Sequence, residues 1–150
     1  MGTGQFEVTR RSADQLEIAL IGELSERTVV NCDAEVRAQL SATRPSGVAV
    51  LVDLTRVSGY SLEARDALVG LQRSLVSKAR QTAYLADTAP SRSLSLWVRH
   101  NTEAHSLHVF NDAADALSWL AGNAGPTTGV RPVARARRQT PPPRRNKIAG

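Results

Sequence analysis

Ser61 has the sequence surroundings that most resemble those of a catalytic nucleophile. The segment Gly59–Glu63 places this serine between a predicted strand and a predicted helix, which is the context of a hydrolase nucleophile elbow. Asp87 and a histidine, His100 or His105, follow in the chain order of a hydrolase triad. The second glycine of the elbow is a glutamate here, and 150 residues is short for that fold. Chain order without geometry is weak evidence, so we expect no enzyme and no catalytic residue.

Metal and cofactor sites are also not expected. Cys32 is the single cysteine, so a four-cysteine zinc site and an intramolecular disulfide are both excluded. His105 and His108 are three positions apart, and on an extended segment their side chains point to opposite faces. The sequence has no glycine-rich phosphate loop followed by the Walker lysine. We therefore predict neither a metal nor a nucleotide cofactor.

Ser61 also has two simpler interpretations at the start of a helix. Its hydroxyl is suited to accept a hydrogen bond from a free backbone N–H, which makes serine a favoured N-cap. A phosphate on the same hydroxyl would lie near the positive end of the helix dipole, so regulatory phosphorylation is the alternative. Glu63 supplies a fixed negative charge at this helix start, where it complements the dipole.

Charge divides the chain into two parts near Gly122. Residues 125–150 have seven of the 19 basic residues and no acidic residue, so residues 1–124 have 12 basic and 14 acidic residues and a net charge of −2. Proline recurs in the basic segment and large apolar residues are few, so we expect 123–150 to be a disordered tail. The tail cations would attract phosphates, acidic proteins or anionic lipid. They are Arg131, Arg135, Arg137, Arg138, Arg144, Arg145 and Lys147.

Hydrophobic periodicity predicts one α/β domain over 5–122, after a flexible N-terminus at 1–4. Two alternating segments, 5–11 and 15–21, predict a hairpin, and the apolar run Val48–Val52 predicts a central strand covered on both faces. We expect Leu54–Tyr60 to be a loop leading into a long helix. Strands that alternate with helices imply a mostly parallel sheet with right-handed crossovers. The predicted order is β-β-α-β-α-β-α-β-α, with helices near 25–44, 61–79, 91–100 and 112–121 and later strands near 81–86 and 106–110.

This order and three short motifs resemble the STAS domain, the family of bacterial anti-sigma factor antagonists and sulphate-transporter tails. Gly22–Ser25, with Thr28, resembles the turn before the first helix of that family. Asp53–Val57 resembles its Asp-Leu-Ser-x-Val segment after the central strand, and Phe110–Leu117 resembles its closing strand and helix start. The resemblance covers residues 5–121 and implies a STAS-like fold and a protein partner.

The regulatory loop of that family is where this sequence departs from it. The family reads Asp-Ser-Ser-Gly or Asp-Ser-Thr-Gly, and a kinase phosphorylates a hydroxyl there; the matching segment here is Ser61–Ala64. Leu62 occupies the position of the phosphorylated residue. The sequence is therefore closer to the divergent STAS-like or SEC14-like branch. Ser58 and Ser61 are the hydroxyls that could accept a phosphate after a shift in register.

We predict a non-catalytic interaction or scaffold module from these observations. It would bind a protein partner, or assemble with itself, through the loop and helix after the central strand. Tyrosine and arginine are favoured at interface centres, which singles out part of this segment. With no signal peptide, no run of ~20 apolar residues and one cysteine, the expected location is the bacterial cytoplasm. The candidate contact residues are Thr55, Arg56, Tyr60, Arg65 and Asp66.

Two other functions remain open on the sequence. The tail favours an accessory protein bound to nucleic acid or another polyanion, although it has no aromatic residue to stack on bases. A SEC14-like resemblance would instead imply a small apolar ligand between sheet and helices, at a place that the sequence does not locate.

Overall fold

The computed structural model describes residues 4–41, 47–102 and 107–122. Within them the chain forms a five-stranded sheet and four helices in the predicted order. The elements are β1 (Gln5–Ser12), β2 (Gln15–Leu24), α1 (Glu26–Ser41), β3 (Val48–Tyr60), α2 (Leu62–Val76), β4 (Ala79–Leu85), α3 (Ala89–His100), β5 (Leu107–Phe110) and α4 (Ala113–Leu120).

The strands lie side by side in chain order, β1-β2-β3-β4-β5. β1 and β2 are the antiparallel hairpin, and every later neighbour pairs in parallel. The predicted mixed sheet with an N-terminal antiparallel hairpin is therefore confirmed. The parallel pairs need crossovers, and the helices that supply them also cover the sheet.

Each face of the sheet buries its own apolar cluster. Alternate residues of β3 divide between the clusters, because successive side chains of a strand point to opposite faces. Val50 and Val52 pack with the buried sides of α1, α2 and α3, whereas Ala49 and Leu51 pack with α4. The stripe predicted for the first helix is confirmed, since Val29, Cys32, Val36 and Leu40 are all buried.

The expected loop Leu54–Tyr60 is wrong, because β3 continues to Tyr60. β2 extends to Leu24 and keeps pairing with this segment as far as the Leu24–Tyr60 pair. The register shifts twice along the way, so β3 contributes extra residues opposite β2. Polar residues over this stretch concealed a strand, because an irregular register breaks the alternation on which the prediction depends.

Side-chain contacts accompany both register shifts between β2 and β3. At the first, Asp53 Oδ1 accepts hydrogen bonds from the Thr55 N–H at 2.9 Å and the Thr55 hydroxyl at 2.6 Å. At the second, a Cβ on Gly59 would lie 2.5 Å from Glu23 Oε2. Glycine is the residue that lets the Glu23 carboxylate lie against the neighbouring strand.

Helix ends differ from the predicted ones by a few residues. α2 ends at Val76 and β4 already begins at Ala79, whereas the sequence placed the helix end near residue 79. α3 begins two residues early, because Thr88 and Ser91 form a reciprocal capping box. No helix of the described residues is long and apolar enough to cross a membrane.

Candidate functional site

The start of α2 is fixed by Ser61. Its backbone is extended, its Oγ accepts a hydrogen bond from the Ala64 N–H at 3.0 Å, and its own N–H donates to the Leu24 carbonyl at 3.1 Å. The interpretation of Ser61 as an N-cap is thereby confirmed. The same contacts hold the end of β3 against the end of β2, so the residues that follow have a fixed position.

Leu62 is the first residue of α2 and has 62% of its surface exposed. Its exposure is the largest of the big apolar side chains in the described residues. This is also the position at which the sequence departs from the STAS regulatory motif. Glu63 is exposed in the same first turn, where its charge complements the helix dipole.

Two side-chain contacts join this helix start to α3. The Tyr60 hydroxyl lies 2.9 Å from Ser93 Oγ, which is hydrogen-bond distance. The Arg65 guanidinium carbon lies 3.6 Å from the centroid of the Trp97 ring, a cation–π geometry. Tyr60 and Arg65, predicted as contact residues, thus belong to one surface with two α3 residues that the sequence analysis missed.

Asp66 completes this surface next to Arg65. Its Oδ1 lies 3.4 Å from Arg65 Nε, and the Asp66 side chain is 66% exposed. The Arg65 side chain is only 23% exposed, because it lies against Trp97. The exposed Asp66 carboxylate is therefore the charge of this pair that is most available to a partner. We call Tyr60, Leu62, Arg65, Asp66 and Trp97 the α2–α3 surface.

The other two predicted contact residues lie on β3, outside the α2–α3 surface. Thr55 is half-buried and its hydroxyl donates to Asp53, which gives it a structural role at the first register shift. Arg56 is exposed and its Nη2 lies 3.7 Å from Glu7 Oε1 of β1, so it reaches across β2. Ser58, the other candidate phospho-acceptor, is exposed on β3. The structure therefore places Tyr60, Arg65 and Asp66 around the helix start, and Thr55 and Arg56 on the strand.

The hydrolase arrangement is not formed by the described residues. Asp87 precedes α3 and His100 is its last residue, so the 12-residue helix separates them by roughly 18 Å. Ser61 Oγ accepts the capping hydrogen bond from the Ala64 N–H and has no hydrogen bond to a histidine among the described residues. His105 lies outside the described residues.

His108 is held against an aromatic residue. Its ring centroid lies 4.4 Å from that of Trp119 on α4. Burial, and to a smaller extent the charge of Arg99, lower the pKa of His108. Among the residues that the structure covers, no three histidine, cysteine, aspartate or glutamate side chains are grouped so as to hold a metal ion.

Two surface clefts bear on the alternative of a small apolar ligand. One, of about 460 Å³, lies between the ends of α2 and α3, with Arg73, His100 and Asn101 in its wall. The other, of about 520 Å³, lies between β1 and the start of α1, with Arg27 and Asn31 in its wall. Polar and charged side chains dominate both, which does not suit an apolar ligand. The cationic residues of the tail all lie outside the described residues.

Comparison with known proteins identifies the architecture. No protein-family model and no curated protein matches the chain. A solved structure of an uncharacterised DUF3478-family protein with a SpoIIAA-like fold, from Shewanella loihica PV-4, aligns with a TM-score of 0.60 and 19% identity over 80% of this chain and 95% of that one. An anti-sigma factor antagonist from Mycobacterium paratuberculosis aligns with a TM-score of 0.59 and 14% identity over 79% and 95%.

The anti-sigma factor antagonist SpoIIAA, in its unphosphorylated form, is also similar. It aligns with a TM-score of 0.55 and 16% identity over 78% of this chain and 98% of that one. The alignments cover nearly the whole length of these three structures, and the sequence identities are low enough that they show the fold alone. The chain therefore has the STAS-like fold of SpoIIAA.

Proposed function

We propose that this protein is a non-catalytic interaction module that binds a protein partner through the α2–α3 surface. The observation that carries the proposal is the exposed Leu62 at the start of α2. Tyr60 lies two residues before it, and Arg65, stacked on Trp97, lies about one helical turn after it. Protein interfaces are enriched in tyrosine, tryptophan and arginine around an apolar centre. Two solved structures of the same fold are described as anti-sigma factor antagonists, which supports a regulatory protein as the partner here.

Rigidity supports the same surface. Ser61 fixes the helix start, Tyr60 and Ser93 lie at hydrogen-bond distance across to α3, and Trp97 holds the Arg65 side chain. Side chains that are already ordered lose less conformational entropy when a partner binds. A preformed surface therefore suits an interaction module better than an isolated exposed leucine would.

Leu62 also supports constitutive binding over a switch at this position. A leucine has no hydroxyl to phosphorylate, and the N-cap role of Ser61 explains that serine without a modification. Ser58 and Ser61 remain the proposed acceptors if the protein is regulated by phosphorylation. Phosphopeptide mapping of protein purified from its host distinguishes these cases, since a constitutive module has neither serine modified.

We predict that Leu62→Asp reduces capture of the partner at least tenfold. Aspartate at the first helical position is favoured by the helix dipole, so the variant should fold as well as the wild-type chain. Val30→Asp is the matched control, because Val30 is a 50% exposed apolar residue in the first half of another helix, α1. The measurement is affinity capture from the native host, followed by mass spectrometry. Equal recovery with Leu62→Asp and with wild type would contradict the proposal.

A second candidate function, binding of a polyanion, rests on the seven cations of residues 125–150. Contacts between cations and phosphates give an affinity that falls steeply with salt concentration. We expect the full chain to bind a duplex DNA probe at low salt, and a variant with all seven changed to Gln to lose that binding. Fluorescence anisotropy across a salt series makes the measurement. An unchanged affinity in the variant would exclude the tail as the binding segment.

A further inference from the structure

β1 is an open edge of the sheet. It spans eight residues, Gln5–Ser12, and β2 is its one strand neighbour in the described part of the chain. The opposite edge, β5, has four residues. Natural proteins usually shorten, bend or cover a long edge strand, because its free N–H and C=O groups pair readily with another strand. β1 has no proline. Its register with β2 is regular from Gln5 to Arg10 and shifts once, at Arg11, between Arg10 and Ser12.

Pairing of two copies through β1 is restricted by the faces of the sheet. In a twofold antiparallel pair, side chains that face each other must lie on the same face, so the pairing is centred on one residue. A centre at Glu7 places two carboxylates opposite each other, and a centre at Arg10 does the same with two guanidinium groups. Like charges directly opposite destabilise a strand pair. A centre at Phe6 would pair only Gln5–Glu7 of β1, so the centres that allow a long pairing are Val8 and Thr9.

Charge complementarity separates these two centres. A centre at Val8 places Gln5 opposite Arg11 and Glu7 opposite Thr9, so no ion pair forms. A centre at Thr9 places Glu7 of each copy opposite Arg11 of the other, which gives two opposite-charge pairs related by the twofold axis. Cross-strand pairs of opposite charge stabilise an antiparallel pair. The Thr9 centre is therefore the favoured register.

Contacts within one chain would continue this charge pattern. Glu7 lies 3.7 Å from Arg56. Arg11 lies at the register shift, and its ion pair with Glu17, the β2 residue opposite Thr9, holds its side chain on the face of Glu7 and Thr9. In the Thr9 register these two ion pairs lie next to each other where β1 of one copy pairs with β1 of the other. A row of alternating charge would then run from Arg56 through Glu7 of one copy to Arg11 and Glu17 of the second copy.

Nothing described on this side of the sheet blocks the row. α4 packs against residues of β3, β4 and β5, while Glu7, Thr9 and Arg11 of β1 are exposed. We propose that the protein forms a homodimer in which β1 pairs antiparallel with β1 of a second copy, centred on Thr9. The two five-stranded sheets then become one continuous sheet, and the α2–α3 surface is not used.

Disulfide crosslinking reads the register directly. Residues that face each other in an antiparallel pair have Cα atoms about 4.5–5.5 Å apart, within the range of a disulfide. Thr9→Cys places one thiol opposite its copy across the twofold axis, whereas Glu7→Cys and Val8→Cys are matched controls that face other residues. Cys32 is buried and does not compete. We expect mild copper-phenanthroline oxidation of the full chain to crosslink Thr9→Cys at least tenfold faster than either control.

Solution mass and a charge reversal provide the second measurement. Sedimentation equilibrium should give a dimer of the wild-type chain in the micromolar range, and Arg11→Glu should weaken it about tenfold, since the twofold axis doubles each change. A chain that stays monomeric at concentrations up to about 100 μM would overturn the proposal. Its dimer would then be roughly a hundred times weaker than the micromolar dimer expected. So would a dimer that crosslinks best at residue 7 or 8, or one that is unaffected by Arg11→Glu. None of these results depends on partner capture through Leu62.

Discussion

Raising the pH from 9 to 12 is expected to reduce the free energy of unfolding by about 4 kcal/mol through Cys32 alone. Burial, with smaller contributions from Asp33 and Glu35, raises the pKa of the Cys32 thiol from 9.0 to about 12. The folded chain then keeps a proton that the unfolded chain releases above pH 9. Because the unfolded state binds fewer protons in this window, stability is full below pH 9 and falls as the pH rises.

Ionisation of Tyr84 adds to the loss of stability at the highest pH values. Its side chain is fully buried, and burial together with the nearby Cys32 raises its pKa above the ordinary value. An unfolded tyrosine ionises near pH 10, so the second contribution begins about one pH unit later than the first. Typical domains are stable by about 5–15 kcal/mol, and the two groups together should therefore unfold this one at strongly alkaline pH.

Urea unfolding at pH 7, 9, 10 and 11, followed by circular dichroism, measures the effect. Cys32→Ala is the control, because it removes the thiol and keeps every other titrating group. The variant should be less stable at pH 7, where it has a cavity, and should lose less stability than wild type between pH 9 and pH 10. Parallel losses in the two proteins would show that Cys32 is not the titrating group.

The architecture was predictable because its elements have regular hydrophobic patterns. The stripe from Val29 to Leu40 and the run Val48–Val52 each match one period, and both are buried as predicted. The second half of β3 was not predictable in this way, since its register with β2 shifts twice. A prediction from alternation fails where extra residues interrupt the alternation.

The candidate site was predicted in part for a similar reason. Tyr60 and Arg65 lie in the chain next to the predicted helix start, so local reasoning finds them. Ser93 and Trp97 come about 30 residues later and join them through the packing of α3 against α2. Arg56 illustrates the converse, because a residue close in sequence to Tyr60 pairs with Glu7 of β1 instead.

Gln72 is a polar residue that the pattern of α2 could not explain. It is fully buried among the leucines of the helix, and its Oε1 accepts a hydrogen bond from the Tyr84 hydroxyl at 2.9 Å. Its Nε2 is buried and has no hydrogen-bond partner among the described residues. An unsatisfied buried polar group costs about 1–3 kcal/mol. We therefore expect the contributions of Gln72 and Tyr84 to the free energy of unfolding to be coupled. The unsatisfied Gln72 Nε2 already lowers the stability of the wild-type chain.

Tyr84→Phe should lower the free energy of unfolding by about 1–3 kcal/mol, because it leaves Gln72 Oε1 without its donor. Gln72→Met, which keeps a linear side chain of similar size, should cost less, since it leaves the Tyr84 hydroxyl without an acceptor but also removes the unpaired Nε2.

The double variant decides whether this account is right. With both polar groups removed nothing buried is left unsatisfied at this position, so the double variant should be more stable than Tyr84→Phe alone and close to wild type. Urea unfolding of the four proteins gives the coupling free energy as a double-mutant cycle. If the two single losses simply add, Gln72 and Tyr84 do not act as a pair, and the cost of Tyr84→Phe must come from packing around its ring.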